Sequence, residues 1–333
     1  MRYLLKLSKS YLFYKLRRPR PSYVVYCCTA RCNLKCVFCE WWKRKVPELD
    51  TKTALKLIDD ICSFGVSVID FSGGEPLLRK DVEVLALRAK EYGAYTILST
   101  NGTLIDEERA KRLSKAFDII NVSIDGFEGT HDSTRGVSGT FKRTLKSLET
   151  LRSFGAKVGI DLTIYRGNVG EILELFKWLM GKIDFVSFQP VMPYPPCEDL
   201  RPNINEVDYL VKGLLELKRQ APSYVAPPNW YIKMLRDYFS YRMPRICDAG
   251  SLYFMLDPDG VAYACNQVKS SVMGKIPSQG IRDLWSSQQR LNAIKSTGQC
   301  KGCLSQCTTA ISIAYRGVFS LEDLRGLLSL AFK

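Results

Sequence analysis

Cysteine is the residue type in this sequence best suited to chemistry. Twelve cysteines stand beside a single histidine, His131. Histidine-ligated zinc or haem sites, and Ser-His or Cys-His catalysis, therefore have almost no material to work with. Two cysteines stand alone, Cys62 and Cys197. The rest form one group of Cys27, Cys28, Cys32, Cys36 and Cys39 and another of Cys247, Cys265, Cys300, Cys303 and Cys307. Clustered thiols in a chain without a secretory signal bind metal more often than they form disulfides. In the first group Cys32, Cys36 and Cys39 are spaced CxxxCxxC, so one short loop offers three thiolates. That number suits a cubane iron–sulfur cluster with one iron left open to a further ligand. A zinc site completed by Cys27 or Cys28 is the alternative.

Such a loop needs a scaffold, and the hydrophobic pattern supplies one. Strands are predicted near about 23–28, 66–72, 95–99, 119–124, 158–164 and 184–189, with helices over about 51–64, 80–92, 106–116, 140–154 and 169–181. Six such βα units predict an α/β fold, a partial (β/α)6 TIM-like barrel with its function at the C-terminal strand ends. Gly73-Gly74-Glu75-Pro76 closes the second strand. Glycines there let backbone approach a ligand, and the carboxylate suits a ligand ammonium.

The motifs fall at successive strand ends: CxxxCxxC after the first, GGEP after the second, Ser99-Thr100-Asn101-Gly102 after the third and Ser123-Ile124-Asp125-Gly126 after the fourth. His131-Asp132 and Arg135-Gly136 lie just beyond. Over roughly residues 23–195 this order resembles the radical S-adenosylmethionine (SAM) superfamily. The resemblance implies that Cys32, Cys36 and Cys39 hold a [4Fe–4S] cluster whose open iron takes the amino and carboxylate groups of SAM. It also implies that Phe38 lies beside the adenine and that Gly73, Gly74 and Glu75 bind the methionine amine. Thr100, Asn101, Ser123 and Asp125 are expected to line the SAM cavity, and Arg135 to meet the SAM carboxylate. His131 reads as a structural hydrogen-bonding residue in that loop. The implied reaction is reductive cleavage of SAM to methionine and a 5′-deoxyadenosyl radical, which activates an unreactive C–H bond.

In the second group, Asp259-Gly260 between apolar runs reads as a hairpin turn that brings Cys247 and Cys265 near one another; Cys300, Cys303 and Cys307 follow a helix expected around 280–296. This part is similar to the twitch/SPASM extension of radical SAM enzymes. The five cysteines are fewer than a full SPASM domain carries, so one auxiliary [4Fe–4S] cluster of the twitch type is expected, with structural zinc as the alternative. Cys62 reads as a small buried hydrophobe. Cys197 follows the sixth strand, near the barrel mouth, where a thiol could donate a hydrogen atom to a product radical; an ordinary loop thiol is the plainer reading.

The expected divisions are a basic amphipathic segment over 1–22, the barrel over 23–240, the auxiliary domain over 241–312 and a C-terminal helix over 313–333. Lysines interrupt every possible apolar core of a signal peptide, and no apolar run reaches the roughly 18–20 residues of a membrane span, so a cytoplasmic location is expected. The 48 Lys and Arg against 34 Asp and Glu give a net charge of +14, which favours anionic partners. Basic residues are scattered and no RNA-binding module is visible, so no stable nucleic-acid partner is expected. The basic, leucine- and tyrosine-rich leader and the leucine-rich C-terminus point to peripheral contact with an anionic membrane and to a hydrophobic, isoprenoid-like lipid substrate. That layout is loosely similar to lipid-modifying radical SAM proteins of the adenosylhopane synthase type. The alternative substrates are a ribosomally synthesised peptide and, behind it, tRNA or a nucleotide. Peptide-modifying members often carry an N-terminal recognition domain, which the 22 residues before the first strand do not accommodate. A ferredoxin- or flavodoxin-type electron donor is implied.

Overall fold

The computed structural model describes residues 2–192, 197–265, 267–300 and 302–317. Its six leading strands are β1 (Tyr23–Thr29), β2 (Val68–Gly73), β3 (Tyr95–Thr100), β4 (Ile119–Ser123), β5 (Val158–Ile164) and β6 (Phe185–Pro190). They pair in parallel in chain order. Between them run α2 (Thr51–Phe64), α3 (Val82–Glu91), α4 (Glu107–Ala116), α5 (Glu128–Arg135), α6 (Thr140–Ser153) and α7 (Ile172–Leu179), while α1 (Arg2–Lys15) precedes β1. The helices start and stop where local chemistry dictates. Asp50 caps α2 by accepting from the Thr53 amide at 2.9 Å, and Gly65 ends that helix in the left-handed region at φ 117°. The expected partial barrel is therefore present, as an open sheet.

The sheet does not stop at the barrel. β7 (Tyr253–Leu256) pairs in parallel with β1, and β8 (Val261–Tyr263) and β9 (Val272–Lys275) add to it antiparallel. The strand order is β6-β5-β4-β3-β2-β1-β7-β8-β9. The cysteine-rich portion thus continues the barrel sheet on its β1 side. Helices α8 (Ile204–Gln220), α9 (Asn229–Phe239), α10 (Ile276–Ser286), α11 (Gln288–Ser296) and α12 (Ile311–Arg316) complete the described chain. Beyond Gly317 the expected C-terminal helix lies outside the described residues.

Two features needed the three-dimensional arrangement. Residues around His131, read as loop, are the helix α5, because its Gly136 stop and Asp132-capped neighbour α6 bracket a single short helical segment. The leader is a helix packed on the N-terminal end of the barrel. Lys6 Nζ donates to the Cys62 and Val66 carbonyls at 3.3 Å each, and Tyr3 packs on Tyr95 with ring centroids 4.8 Å apart. Among the described residues, no helix is long and apolar enough to cross a membrane.

Strand alternation explains how one sheet makes both core and site. Ile69, Phe71, Leu98, Ile120, Val122, Ile160, Leu162, Val186 and Phe188 are fully buried beneath the helices. The intervening residues, among them Asp70, Ser72, Ser99, Asn121, Ser123, Asp161, Thr163 and Gln189, line a cavity inside the curve of the sheet. Successive side chains of a strand point to opposite faces, so the period of two separates oily from polar.

Candidate active site

The loop carrying Cys32, Cys36 and Cys39 is held from two sides. The Lys35 and Val37 amides donate to the carbonyls of Arg135 and Thr134 at 3.0 and 2.9 Å. Gly136, at φ 68°, passes so close that a Cβ there would sit 2.7 Å from the Lys35 carbonyl oxygen. On the other side the Gly74 amide donates to Thr29 O and the Glu75 amide to Arg31 O, both at 2.8 Å. A Cβ on Gly73 would meet Thr29 O at 2.3 Å, and one on Gly74 would meet Arg31 O at 2.1 Å. The two glycines therefore let β2 run against the cysteine loop backbone, as well as facing the cavity.

The cavity, of about 380 Å³, is lined by Cys32, Cys36, Phe38 and Cys39, by Gly73 and Gly74, and by Thr100, Asn101, Ser123 and Arg135. Three expected residues are placed differently. Glu75 is not a lining residue. Its carboxylate accepts from Thr100 Oγ1 at 2.6 Å, the Asn101 amide at 2.8 Å and the Leu77 amide at 3.0 Å, so it braces the ends of β2 and β3. Asp125, fully buried behind the wall, pairs with Arg135 at 2.6 Å and accepts from the Thr163 amide at 3.0 Å. Cys197 is buried, does not line the cavity and donates its thiol to the Phe38 carbonyl at 3.2 Å. Burial pushes its thiol up to about 11. His131 Nδ1 accepts from the Asp125 amide at 3.2 Å, and burial drops that imidazole to about 3, so it is a neutral structural residue.

Arg135 joins the two halves of this arrangement. One guanidinium nitrogen binds Asp125, another lies 3.6 Å from Cys36 Sγ, and the group sits 5.7 Å over the Phe38 ring. Burial raises the Cys32 thiol to about 11 and raises Cys39 as well. No disulfide joins any cysteine, and no trio of Cys, His, Asp or Glu among the described residues is arranged as a ready metal-binding group. The donor set nevertheless fits an iron–sulfur cluster: three thiols on one loop, no histidine within the lining, and a cavity opening directly from them. Cluster loading must displace their protons.

The second cysteine group gathers beside this cavity. Cys265 packs with Cys27, Tyr253 and Met255, against which Cys247, Cys307 and Trp41 also pack. Burial, followed by their mutual proximity, raises Cys247 to about 11 and Cys265 to about 12 and also lifts Cys303. Cys307 sits on a π-helical turn (Gln306–Ala310), lies 2.9 Å from Ser305 Oγ and lines the cavity itself. The region is tied to the cysteine loop by Arg44, which pairs with Asp257 at 2.5 Å and lies 4.2 Å over the Trp41 ring.

The residues missed from sequence are Asp70, Asn121 and Asp161, all lining the same cavity. Their signal was present in the alternation of Val68-Ile-Asp-Phe-Ser, Ile119-Ile-Asn-Val-Ser and Val158-Gly-Ile-Asp-Leu-Thr, where the inward positions toward the C-terminal strand ends are polar.

Comparison with known proteins agrees with this geometry. The radical SAM superfamily matches residues 26–179, and the SPASM iron–sulfur cluster-binding domain matches residues 247–308. The Fe-coproporphyrin III synthase of Methanosarcina barkeri is 45% identical over 160 residues, which span 47% of this chain and 40% of that protein. The AdoMet-dependent heme synthase of the same organism is 28% identical over 310 residues, 86% of this chain and 88% of that one. The PqqA peptide cyclase of Granulibacter bethesdensis is 26% identical over 304 residues, 83% and 77% of the two chains. Streptococcus suis SuiB bound to S-adenosylmethionine shares the fold at a TM-score of 0.70 and 18% identity, covering 91% of this chain and 76% of SuiB. Three thiols at the end of β1, polar strand ends around one cavity and a second cysteine cluster on the same sheet belong together: the chain is a member of the radical SAM superfamily with a C-terminal SPASM iron–sulfur domain, and SAM and iron–sulfur clusters are its cofactors.

Proposed function

We propose that this protein is a SAM-dependent radical enzyme that modifies a peptide. Cys32, Cys36 and Cys39 would hold the SAM-binding [4Fe–4S] cluster, and ligands drawn from Cys247, Cys265, Cys300, Cys303 and Cys307 would hold one auxiliary cluster. The first cluster, when bound and reduced by a ferredoxin- or flavodoxin-type donor, supplies the electron that cleaves SAM and so generates the hydrogen-abstracting radical. The chain's own residues bind and orient. Gly73 and Gly74 present backbone to the methionine end, Phe38 gives an apolar face to the adenine, and Thr100, Asn101 and Ser123 offer hydrogen bonds. Arg135, fixed by Asp125, supplies a positive charge next to Cys36 for a carboxylate. The enclosing wall of strands and the two cysteine regions keep water from the reacting groups.

The peptide reading rests on the charge of the cavity. Its described lining carries two carboxyl groups, Asp70 and Asp161, and a single cation, Arg135, already paired with Asp125. A polycarboxylate such as an iron coproporphyrin would meet little compensating charge there, whereas a peptide brings its own donors. A PqqA peptide cyclase is among the relatives at 26% identity. The second reading, a heme-type tetrapyrrole, is favoured by the 28% identity to a heme synthase along most of both chains. The lipid substrate expected from the terminal segments has no counterpart in these relatives, and α1 packs on the barrel, with Leu5, Tyr11 and Leu12 among the side chains it leaves exposed.

The test is 5′-deoxyadenosine formation by anaerobically reconstituted protein with SAM and dithionite. Wild type should form it and Cys36→Ala should not. Added peptides encoded by short reading frames near the gene should accelerate formation and gain or lose mass. Acceleration by Fe-coproporphyrin III alone, with a shifted Soret band, would overturn the peptide reading in favour of the second.

A further inference from the structure

The inner wall of a parallel barrel is ordinarily filled with branched apolar side chains. Here the cavity-lining positions of β2 to β5 include Asp70, Ser99, Asn121, Asp161 and Thr163, and two of their oxygens have nothing to bind. Asp161 Oδ1 on β5 and Asn121 Oδ1 on β4 are sealed from solvent and have no hydrogen-bond partner. Buried acceptors in folded proteins are almost always satisfied, so an orphaned pair on adjacent strands calls for a partner from outside the chain. Asp70 on β2 has both oxygens taken, accepting from Ser99 Oγ at 2.8 Å and Tyr23 Oη at 3.2 Å, whereas Asp161 has only a hydrogen bond with Ser187.

Charge points the same way. Burial, reinforced by the proximity of Asp70, pushes the Asp161 carboxyl up to about 7; burial pushes Asp70 to about 6. A purely structural carboxylate in this fold is given a cation, as Asp125 is given Arg135. Among the described residues lining the cavity there is no lysine, and Arg135 is committed elsewhere. The Asp70–Asp161 floor therefore lacks a counter-ion, which a positively charged group entering the cavity would supply.

We propose that Asp161, with Asn121 on the adjacent strand and Asp70 on the same cavity wall, forms a recognition floor for a cationic side chain of the substrate, an ammonium or guanidinium that donates to the Asp161 carboxylate and the Asn121 side-chain oxygen. This rests on the peptide reading above and narrows it to peptides with a lysine or arginine near the modified residue. No bond is made or broken at the floor; it fixes which hydrogen of the substrate faces the SAM end of the cavity.

The experiment measures binding of three fluorescein-labelled pentapeptides, Ac-Gly-Gly-X-Gly-Gly with X as lysine, norleucine or glutamate, to cluster-reconstituted, SAM-loaded protein by fluorescence anisotropy. The lysine peptide should bind about tenfold more tightly than the norleucine peptide and tighter still than the glutamate one. That preference should vanish in Asp161→Asn and shrink in Asn121→Ala, while near-UV circular dichroism stays that of the wild type. If Asp161→Asn does not fold, Asp70→Asn serves in its place and should weaken the preference. Equal binding of the three peptides, or a lysine preference that survives the substitutions, overturns the floor and leaves the peptide reading standing. No binding by any of the three, with Fe-coproporphyrin III bound instead, overturns the peptide reading and the floor with it.

Discussion

Cys32, Cys36 and Cys39 hang from the end of one strand on one short loop, whereas Cys247, Cys265, Cys300, Cys303 and Cys307 are collected from a hairpin, a long helical excursion and a π-helical turn. The first set is positioned by its neighbours in sequence plus two backbone braces from α5 and β2. The second depends on β7 joining β1, and so on the barrel itself. A local motif can be read without knowing the fold; a dispersed one acquires its geometry only when the sheet forms. The same contrast holds for the carboxylates. Asp125 is buried with its cation at 2.6 Å, while Asp161 lines the cavity with one oxygen unpaired.

The largest expected effect breaks the comparison at the cysteine loop. Cys36→Ala should lower 5′-deoxyadenosine formation by about a thousandfold or more and roughly halve the bound iron, leaving the auxiliary cluster's absorbance in place. Cys303→Ala should do the converse to the iron, retaining SAM-dependent spectral change at the first cluster. Because β7 is paired to β1, it should also lower the melting temperature of the barrel in a single transition; two separate transitions in calorimetry would show that the regions fold independently.

Next comes the paired carboxylate. Arg135→Met leaves Asp125 buried without its cation and should cost about 3–5 kcal/mol in urea unfolding. A loss under about 1 kcal/mol would mean that solvent reaches Asp125. Asp161 sharpens the contrast through pH. Its folded pKa of about 7 lies above the ordinary carboxylate range, so the folded state holds a proton that the unfolded state has released. Stability should accordingly decline as pH rises from about 4 to about 7. Asp161→Asn should shrink that decline to the part that Asp70, itself raised to about 6, still contributes, stabilising the protein above pH 7 by on the order of a few kcal/mol and changing little at pH 4. Parallel stability–pH curves for the two proteins would contradict this.

The smallest effect lies away from both regions. Asn203 caps α8 in a reciprocal box with Glu206. Asn203→Ala should cost about 1 kcal/mol while leaving iron content and SAM cleavage unchanged.

Much of the barrel was legible in the sequence because its signals are local. Period-two and period-3.6 hydrophobicity marked the six parallel strands and the helices between them, and the cysteine spacing with GGEP marked the strand ends that face the cavity. Side-chain roles were less legible where a residue has two plausible partners. Glu75 reads as a ligand carboxylate but is taken up by Thr100 and two backbone amides. Cys197 reads as a mouth thiol but is turned onto the Phe38 carbonyl.

The sequence by itself determined the chemistry available: three thiols on one loop, five more near the end, scarcely any histidine, and polar residues alternating with oily ones along β2, β4 and β5. Those follow from residue type and near-neighbour spacing. Only the tertiary structure decided that the second cysteine group shares the barrel's sheet, that Asp125 is neutralised by Arg135, and that Asp161 and Asn121 keep unpaired oxygens toward the cavity. Each of these is a contact between residues far apart in the chain, and burial or pairing has no energy until the chain has closed the distance.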